Sequence, residues 1–160
     1  MAKQKVTKTN AVRLLDQQKI SYNLIEYTIE DKVDGVTVAN KVGHPVTHVF
    51  KTLVATAGVG KFFVFVIPVS EELNLKVCAK AAGEKKIEML HVKDLLPTTG
   101  YIRGGCSPIG MKKLFPTFID GSAKNLDYMV VSAGKIGMQI QLNPHDLIQV
   151  TGGKFAKLTV

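Results

Sequence analysis

Val46-Thr-His-Val-Phe-Lys-Thr-Leu-Val-Ala55 and Lys61-Phe-Phe-Val-Phe-Val-Ile-Pro68 decide how this chain folds. Both runs are rich in β-branched and aromatic residues, which suit a pleated strand. The second is apolar almost throughout and reads as a strand buried on both faces. Ala57-Gly-Val-Gly60 supplies the turn between them, so the pair forms a hairpin. With no helix-length pattern in the connection, this is not a regular βαβ chain.

The same reading extends both ways. Thr9 or Asn10 caps a helix running to about Lys19, with Ala11, Val12, Leu15 and Gln18 on one side. Tyr22-Asn-Leu-Ile-Glu-Tyr27 is a short strand, and residues 30–35 form an acidic loop. Thr37 caps a short helix that ends at Gly43, with His44-Pro45 as the stop. Downstream, a helix covers 74–82, a brief strand 86–89, and one or two helical turns 91–96, ended by Pro97. Strands follow at 116–120, 128–132 and 138–142, the last alternating as a half-buried strand. Ala133-Gly-Lys-Ile-Gly137 turns between the latter two. Asn143 caps a helix to about Val150 with Pro144 at its first position, and 155–160 adds an edge strand. Strands outnumber helices. The expected class is mixed α/β: one domain over residues 1–160, a curled mixed sheet or partial barrel with helices packed around it.

Composition narrows the partners. Lys and Arg number 21 against 13 Asp and Glu, a formal net charge of +8, which suits an anionic partner such as a nucleic acid, nucleotide or phosphorylated metabolite. Charge alone is equally compatible with a basic protein that has no such ligand. The N-terminus lacks an apolar signal core, and the longest apolar run, 62–67, is too short to span a bilayer. A cytoplasmic protein with no membrane partner is expected. Cys78 and Cys106 form no CxxC pair, and reduced thiols are the economical reading. No metal site is expected, because Pro45 breaks the helix that would align His44 with His48. No dinucleotide fingerprint appears and no cofactor is expected.

Gly100-Tyr-Ile-Arg-Gly-Gly-Cys-Ser-Pro-Ile-Gly110 holds four glycines and a proline, so it cannot continue as plain helix or central strand. It is either a bulge and turn or a ligand-facing loop. Gly104-Gly105 can offer backbone N–H groups to a substrate carbonyl. Lys51 lies inside an apolar strand; it either snorkels to the surface or points into a cleft as a cation for phosphate or carboxylate. Thr52 faces the other way if the strand is regular. Cys106 beside Ser107 invites a nucleophile hypothesis, but no motif links either to a histidine base; a buried, inert thiol is the favoured reading. The turn at 132–137 is a second polar wall or a simple hairpin turn.

Taken together, Val49-Phe-Lys-Thr-Leu53, the glycine-rich stretch, the segment from Lys112-Lys113 to Asp120, and Val131-Ser-Ala-Gly-Lys-Ile-Gly-Met138 resemble the YbaK/EbsC family. These are free-standing relatives of the editing domain inserted in bacterial prolyl-tRNA synthetases. The similarity runs from Asn10 to Phe155. It implies an aminoacyl-tRNA deacylase without cofactor, typically clearing Cys-tRNA(Pro) and also Cys-tRNA(Cys). Prolyl-tRNA synthetase is an implied partner beside aminoacyl-tRNA. By the resemblance, Lys51 holds the tRNA 3′ end, Gly104 lines the pocket with its backbone, and Tyr27 and Ser107 lie nearby. Thr52, Gly105 and Gln139 complete the expected substrate-contacting set. The implied mechanism is substrate-assisted: the substrate thiol attacks its own ester and leaves as a thiolactone. Two departures bear on amino-acid preference. No aromatic stands near Asp34-Gly35, and Gln139 occupies the place of an aspartate. Two alternatives follow: clearing another small amino acid such as alanine, or a non-catalytic tRNA- or nucleotide-binding module.

Overall fold

The hairpin runs through the centre of the molecule. In the computed structural model, which describes residues 8–27, 39 and 43–160, β2 (Phe50–Gly58) and β3 (Lys61–Pro68) pair antiparallel from Phe50–Pro68 to Gly58–Lys61. The turn is tighter than the sequence suggests. Only Val59 and Gly60 lie outside the strands, and a register shift between Thr56 and Gly58 absorbs the extra residue. The strand also starts later than residue 46: His48 donates its N–H to the Pro45 carbonyl, closing a turn over residues 45–48.

Four α-helices and eight strands are described. α1 (Asn10–Gln17) starts where Thr9 accepts from the Val12 N–H, and it buries Ala11, Val12 and Leu15 but leaves Gln18 exposed. β1 (Asn23–Glu26) follows. The expected acidic loop at 30–35 and the helix from Thr37 lie outside the described residues, apart from Ala39 and Gly43. After the hairpin come α2 (Leu75–Ala81), capped by Asn74, then β4 (Glu88–Met89) and α3 (Val92–Thr99). Pro97 does not end α3. It removes the donor to the carbonyl of Lys93, an exposed residue, and the helix continues to Gly100 in the left-handed conformation. The chain closes with β5 (Thr117–Asp120), β6 (Met129–Lys135), β7 (Met138–Leu142), α4 (Pro144–Thr151) and β8 (Lys154–Ala156). The turn expected at 133–137 shrinks to Ile136-Gly137, because β6 runs on to Lys135. The edge strand expected at 155–160 is Lys154–Ala156, with Thr159 bridging Leu73.

The curled sheet takes the form of two sheets. One is antiparallel, in the order β1-β7-β6; the other is mixed, in the order β4-β2-β3-β5-β8, with β3–β5 and β5–β8 parallel. A bridge between Val49 and Val130 joins them. β3 is buried on both sides, as its sequence requires. Val64 and Val66 pack with α1, β6 and β7, while Phe63, Phe65 and Ile67 pack with Cys78, Ala79 and Leu158. Burying one such large side chain contributes about 1.5–3 kcal/mol. No described helix is long and apolar enough to cross a membrane.

The glycine-rich segment 100–110 has no regular secondary structure and is locked from within. Tyr101 is buried and donates its hydroxyl to the Ile109 carbonyl at 2.6 Å, closing the segment into a loop. Burial pushes the Tyr101 phenol up to about 12. Its ring lies against Gly134, where an added Cβ would stand 2.6 Å from the ring edge. Tyr101→Phe strands a buried carbonyl and costs about 1–3 kcal/mol. At roughly 2–4 °C per kcal/mol for a chain of this size, the expected result is a Tm several degrees lower by thermal denaturation. An unchanged Tm removes this bond from the loop's support.

Candidate active site

β2 leaves part of one edge open. His48 gives its carbonyl to the Val130 N–H, and Val54 gives its carbonyl to the Leu90 N–H. These residues have the same parity along the strand, so Phe50 and Thr52 between them turn their peptide groups to the same edge. β4 covers that edge only at Ala55 and Thr56. A cavity of about 580 Å³ lies there, between the two sheets and beside α3. Its apolar walls come from β2, Val69, Met89, Leu90, Val92 and Leu95. Its polar groups are Tyr27, Lys51, Thr52, Arg103, Gly104, Cys106, Ser132 and Gln139.

Each polar group has a structural reason to be there. Tyr27 follows β1 and is held by its N–H to the Gly137 carbonyl at 2.9 Å. Ser132 and Gln139 are directly opposite on β6 and β7, so their side chains share a face. Ser132 accepts from the Gly134 N–H at 3.2 Å. Gln139 is buried, at 7% exposure, so β7 is covered on both faces where a half-buried strand was expected. Lys51 is half-buried on β2 and faces the cavity rather than bulk solvent. Thr52 reaches the same cavity despite its alternate position, because the cavity wraps the open edge of the strand. Gly104 is exposed and adopts φ of 85°, a backbone that a side chain would strain.

The sequence therefore brings Lys51, Thr52, Tyr27, Gly104 and Gln139 to one cavity, and leaves two expected members outside it. Gly105 donates its N–H to the Ile102 carbonyl at 3.0 Å, so it has no free donor for a substrate. Its missing side chain serves packing: a Cβ there would stand 2.9 Å from the Ile136 backbone nitrogen. Ser107 is fully buried, and its hydroxyl accepts from the Ile109 N–H at 3.2 Å. It stabilises the turn ahead of Gly110. Arg103 lines the cavity and escaped the sequence reading. Its signal was a lone cation directly before two glycines.

The electrostatics are one-sided. Two cations line the cavity, and no carboxylate or imidazole does among the described residues. Cys106 is in the wall, but burial pushes its thiol up to about 12. At neutral pH it holds its proton and is a poor nucleophile. Two buried side-chain oxygens lack a hydrogen-bond partner among the described residues, Thr52 Oγ1 and Gln139 Oε1, and both line this cavity. Buried polar atoms without a protein partner are rare, and beside a cavity they are free to bond whatever occupies it, water or ligand. No group of three or more His, Cys, Asp and Glu side chains is arranged to hold a metal among the described residues.

A model of the aminoacyl-tRNA editing domain matches residues 30–150, which include most of these cavity groups. The chain belongs to the aminoacyl-tRNA editing domain family. An Enterococcus faecalis protein, EbsC, described as a candidate Cys-tRNA(Pro)/Cys-tRNA(Cys) deacylase, is 50% identical over 99% of this chain and 98% of its own. Among solved structures, a candidate trans-editing enzyme for prolyl-tRNA synthetase superposes with a TM-score of 0.82 at 19% identity, covering 97% of this chain and 99% of that one. A hypothetical protein superposes with a TM-score of 0.86 at 18% identity, covering 95% of this chain and all of its own (100%). At such identities the structural likeness carries the fold, and the family rests on the sequence matches.

Replacing Thr52 by the isosteric valine tests whether its hydroxyl is held ready at a cost. Removing an unpartnered buried oxygen stabilises by about 1 kcal/mol. Thr52→Val should raise the Tm by about 2–4 °C. A lower Tm would show that the hydroxyl already has a partner in the free protein.

Proposed function

We propose that this editing-domain protein is an aminoacyl-tRNA deacylase acting in trans in the cytoplasm, with Cys-tRNA(Pro) and Cys-tRNA(Cys) as its substrates. Half identity to the Enterococcus faecalis EbsC protein over nearly the whole chain supports the substrate class. The observation that carries the mechanism is chemical. The cavity offers two cations and two unpartnered hydrogen-bonding oxygens, but no base and no ionised nucleophile among the described residues.

Such a cavity suits a substrate that brings its own nucleophile. The cysteinyl thiol attacks its own ester carbonyl, the new C–S bond closes a thiolactone, and the ester C–O bond breaks. The thiol proton ends on the ribose oxygen of the departing tRNA. The protein's part is to hold reacting groups together, an effect that can supply several kcal/mol of the barrier. Lys51 holds the anionic 3′ end of the tRNA as a compact ammonium. The Gly104 peptide N–H donates to the ester oxygen as charge develops, a task its neighbour Gly105 cannot share. Tyr27, Thr52 and Gln139 contact the aminoacyl group. Gln139 offers an acceptor without charge, so it orients the α-ammonium by hydrogen bonding rather than by ion pairing. An alanyl ester lacks the thiol and would need a base to activate water, and none lines the cavity among the described residues. Prolyl-tRNA synthetase is the partner that would supply tRNA selectivity beyond so small a pocket.

The experiment is ester loss from cysteinyl-tRNA(Pro), cysteinyl-tRNA(Cys) and alanyl-tRNA(Pro). The cysteinyl esters should be cleared and the alanyl ester spared. Lys51→Ala should lower the rate about 10²-fold or more, whereas Cys106→Ala should keep the greater part of it. Absence of turnover on every mischarged tRNA would leave a binding module. Loss of activity in Cys106→Ala, with Lys51→Ala active, would replace the mechanism by thiol hydrolysis.

A further inference from the structure

We infer that the outer face of α3, together with Ile102 and Arg103, forms a platform for the single-stranded nucleotides preceding the acylated terminal one. The inference rests on the deacylase reading, and it concerns the rim of the cavity and the surface beyond it.

An acylated terminal nucleoside seated in the cavity stays joined to the rest of the RNA through its 5′ phosphate. The strand must therefore leave over the cavity rim. On one side that rim is apolar and exposed. Val92 lines the cavity yet is 59% exposed, and Leu96, one turn along on the same face, is 50% exposed. On the loop that follows, Ile102 is 50% exposed beside Arg103, which lines the cavity and is itself exposed. Val92 and the 40% exposed Met89 line the cavity itself, and Leu96 and Ile102 belong to the same helix and to the loop that carries Arg103 into its wall, whereas Val59 sits at the hairpin tip. Exposed apolar groups gathered on the elements that form a cavity mouth point to a binding surface.

Charge selects the occupant. Lys93 lies between Val92 and Leu96 in the helix and is exposed. Lys112 reaches the far end of α3, where its ammonium donates to the Pro97 carbonyl at 3.4 Å and stays exposed. Asp94, the acid on the same helix, is half-buried. The platform residues include no aromatic ring to stack a base; their aliphatic side chains give base faces apolar contact area, and the flanking cations suit phosphates, which together match single-stranded RNA. Arg103 suits both parts, because a guanidinium stacks on a base and pairs with a phosphate.

The test is binding of an uncharged RNA hairpin with a single-stranded CCA 3′ end, followed by fluorescence anisotropy at several salt concentrations. Leu96→Ser and Ile102→Ser should each weaken binding about threefold or more. Arg103→Ala should reduce the slope of log affinity against log salt by about one. The same hairpin with a blunt, fully paired end should bind more weakly and ignore Leu96→Ser. Unchanged affinity in both serine variants, with melting as in the parent, overturns the platform; so does equal binding of the two hairpins by the parent. Deacylation measured alongside separates the two readings. Variants that lose hairpin binding in a protein that clears no mischarged tRNA keep the platform and remove the deacylase. A protein that deacylates while its variants bind normally keeps the deacylase and removes the platform.

Discussion

Close approach of the glycine-rich loop to the β6–β7 hairpin is the constraint on which the cavity depends. Tyr101 fills the space that a side chain at Gly134 would take, and its hydroxyl holds the Ile109 carbonyl. Gly105 lies against the backbone of Lys135 and Ile136 with no room for a methyl group. Neither contact is strong alone. Together they fix where Arg103, Gly104 and Cys106 stand relative to the two sheets. The glycines thus divide the labour: Gly105 and Gly134 permit packing, and Gly104 is left exposed beside the cavity.

The opposite wall depends on an unfinished sheet. The chain is tied to β6 at His48, just before β2, and to Leu90 at Val54, and among the described residues no strand lies beside its edge between these points. An open edge is ordinarily a liability, since it invites pairing with another chain. Here it lies in a cleft between two sheets, where a foreign strand has little access. The same opening explains why Lys51 and Thr52, on alternate faces of one strand, both reach the cavity. It also explains the two unpartnered oxygens: Thr52 and Gln139 stand on facing sheets across a space that packing leaves unfilled.

These features favour catalysis by placement. With no imidazole or carboxylate in the wall among the described residues, and with the Cys106 thiol held protonated by burial, the site has little to offer a substrate that needs activating. It has much to offer one that already carries a nucleophile and an anionic tail. Buried polar atoms held without partners trade stability for readiness, a pattern common where a ligand must be recognised by hydrogen bonds.

The sequence by itself determined the strands of the hairpin, the capped helices, the mixed α/β class and the family. Each follows from local pattern: β-branched runs, Thr9 or Asn10 and Asn143 as caps, and an ordered set of motifs. It marked Lys51 and Gly104 as candidates because a lysine in an apolar strand and paired glycines are locally anomalous. Only the tertiary structure decided which anomalies meet. Gly105 and Ser107 look like site residues in the sequence, but their hydrogen bonds go to the Ile102 carbonyl and from the Ile109 N–H, partners that folding chooses. Arg103 carried no local signal strong enough to single it out, and the loop's docking brought it to the cavity. The extent of α3 past Pro97, and the burial of Gln139 on a strand with a half-exposed pattern, were likewise set by what packs against them. Local preference is written in neighbouring residues; convergence of segments fifty residues apart is a property of the packed core.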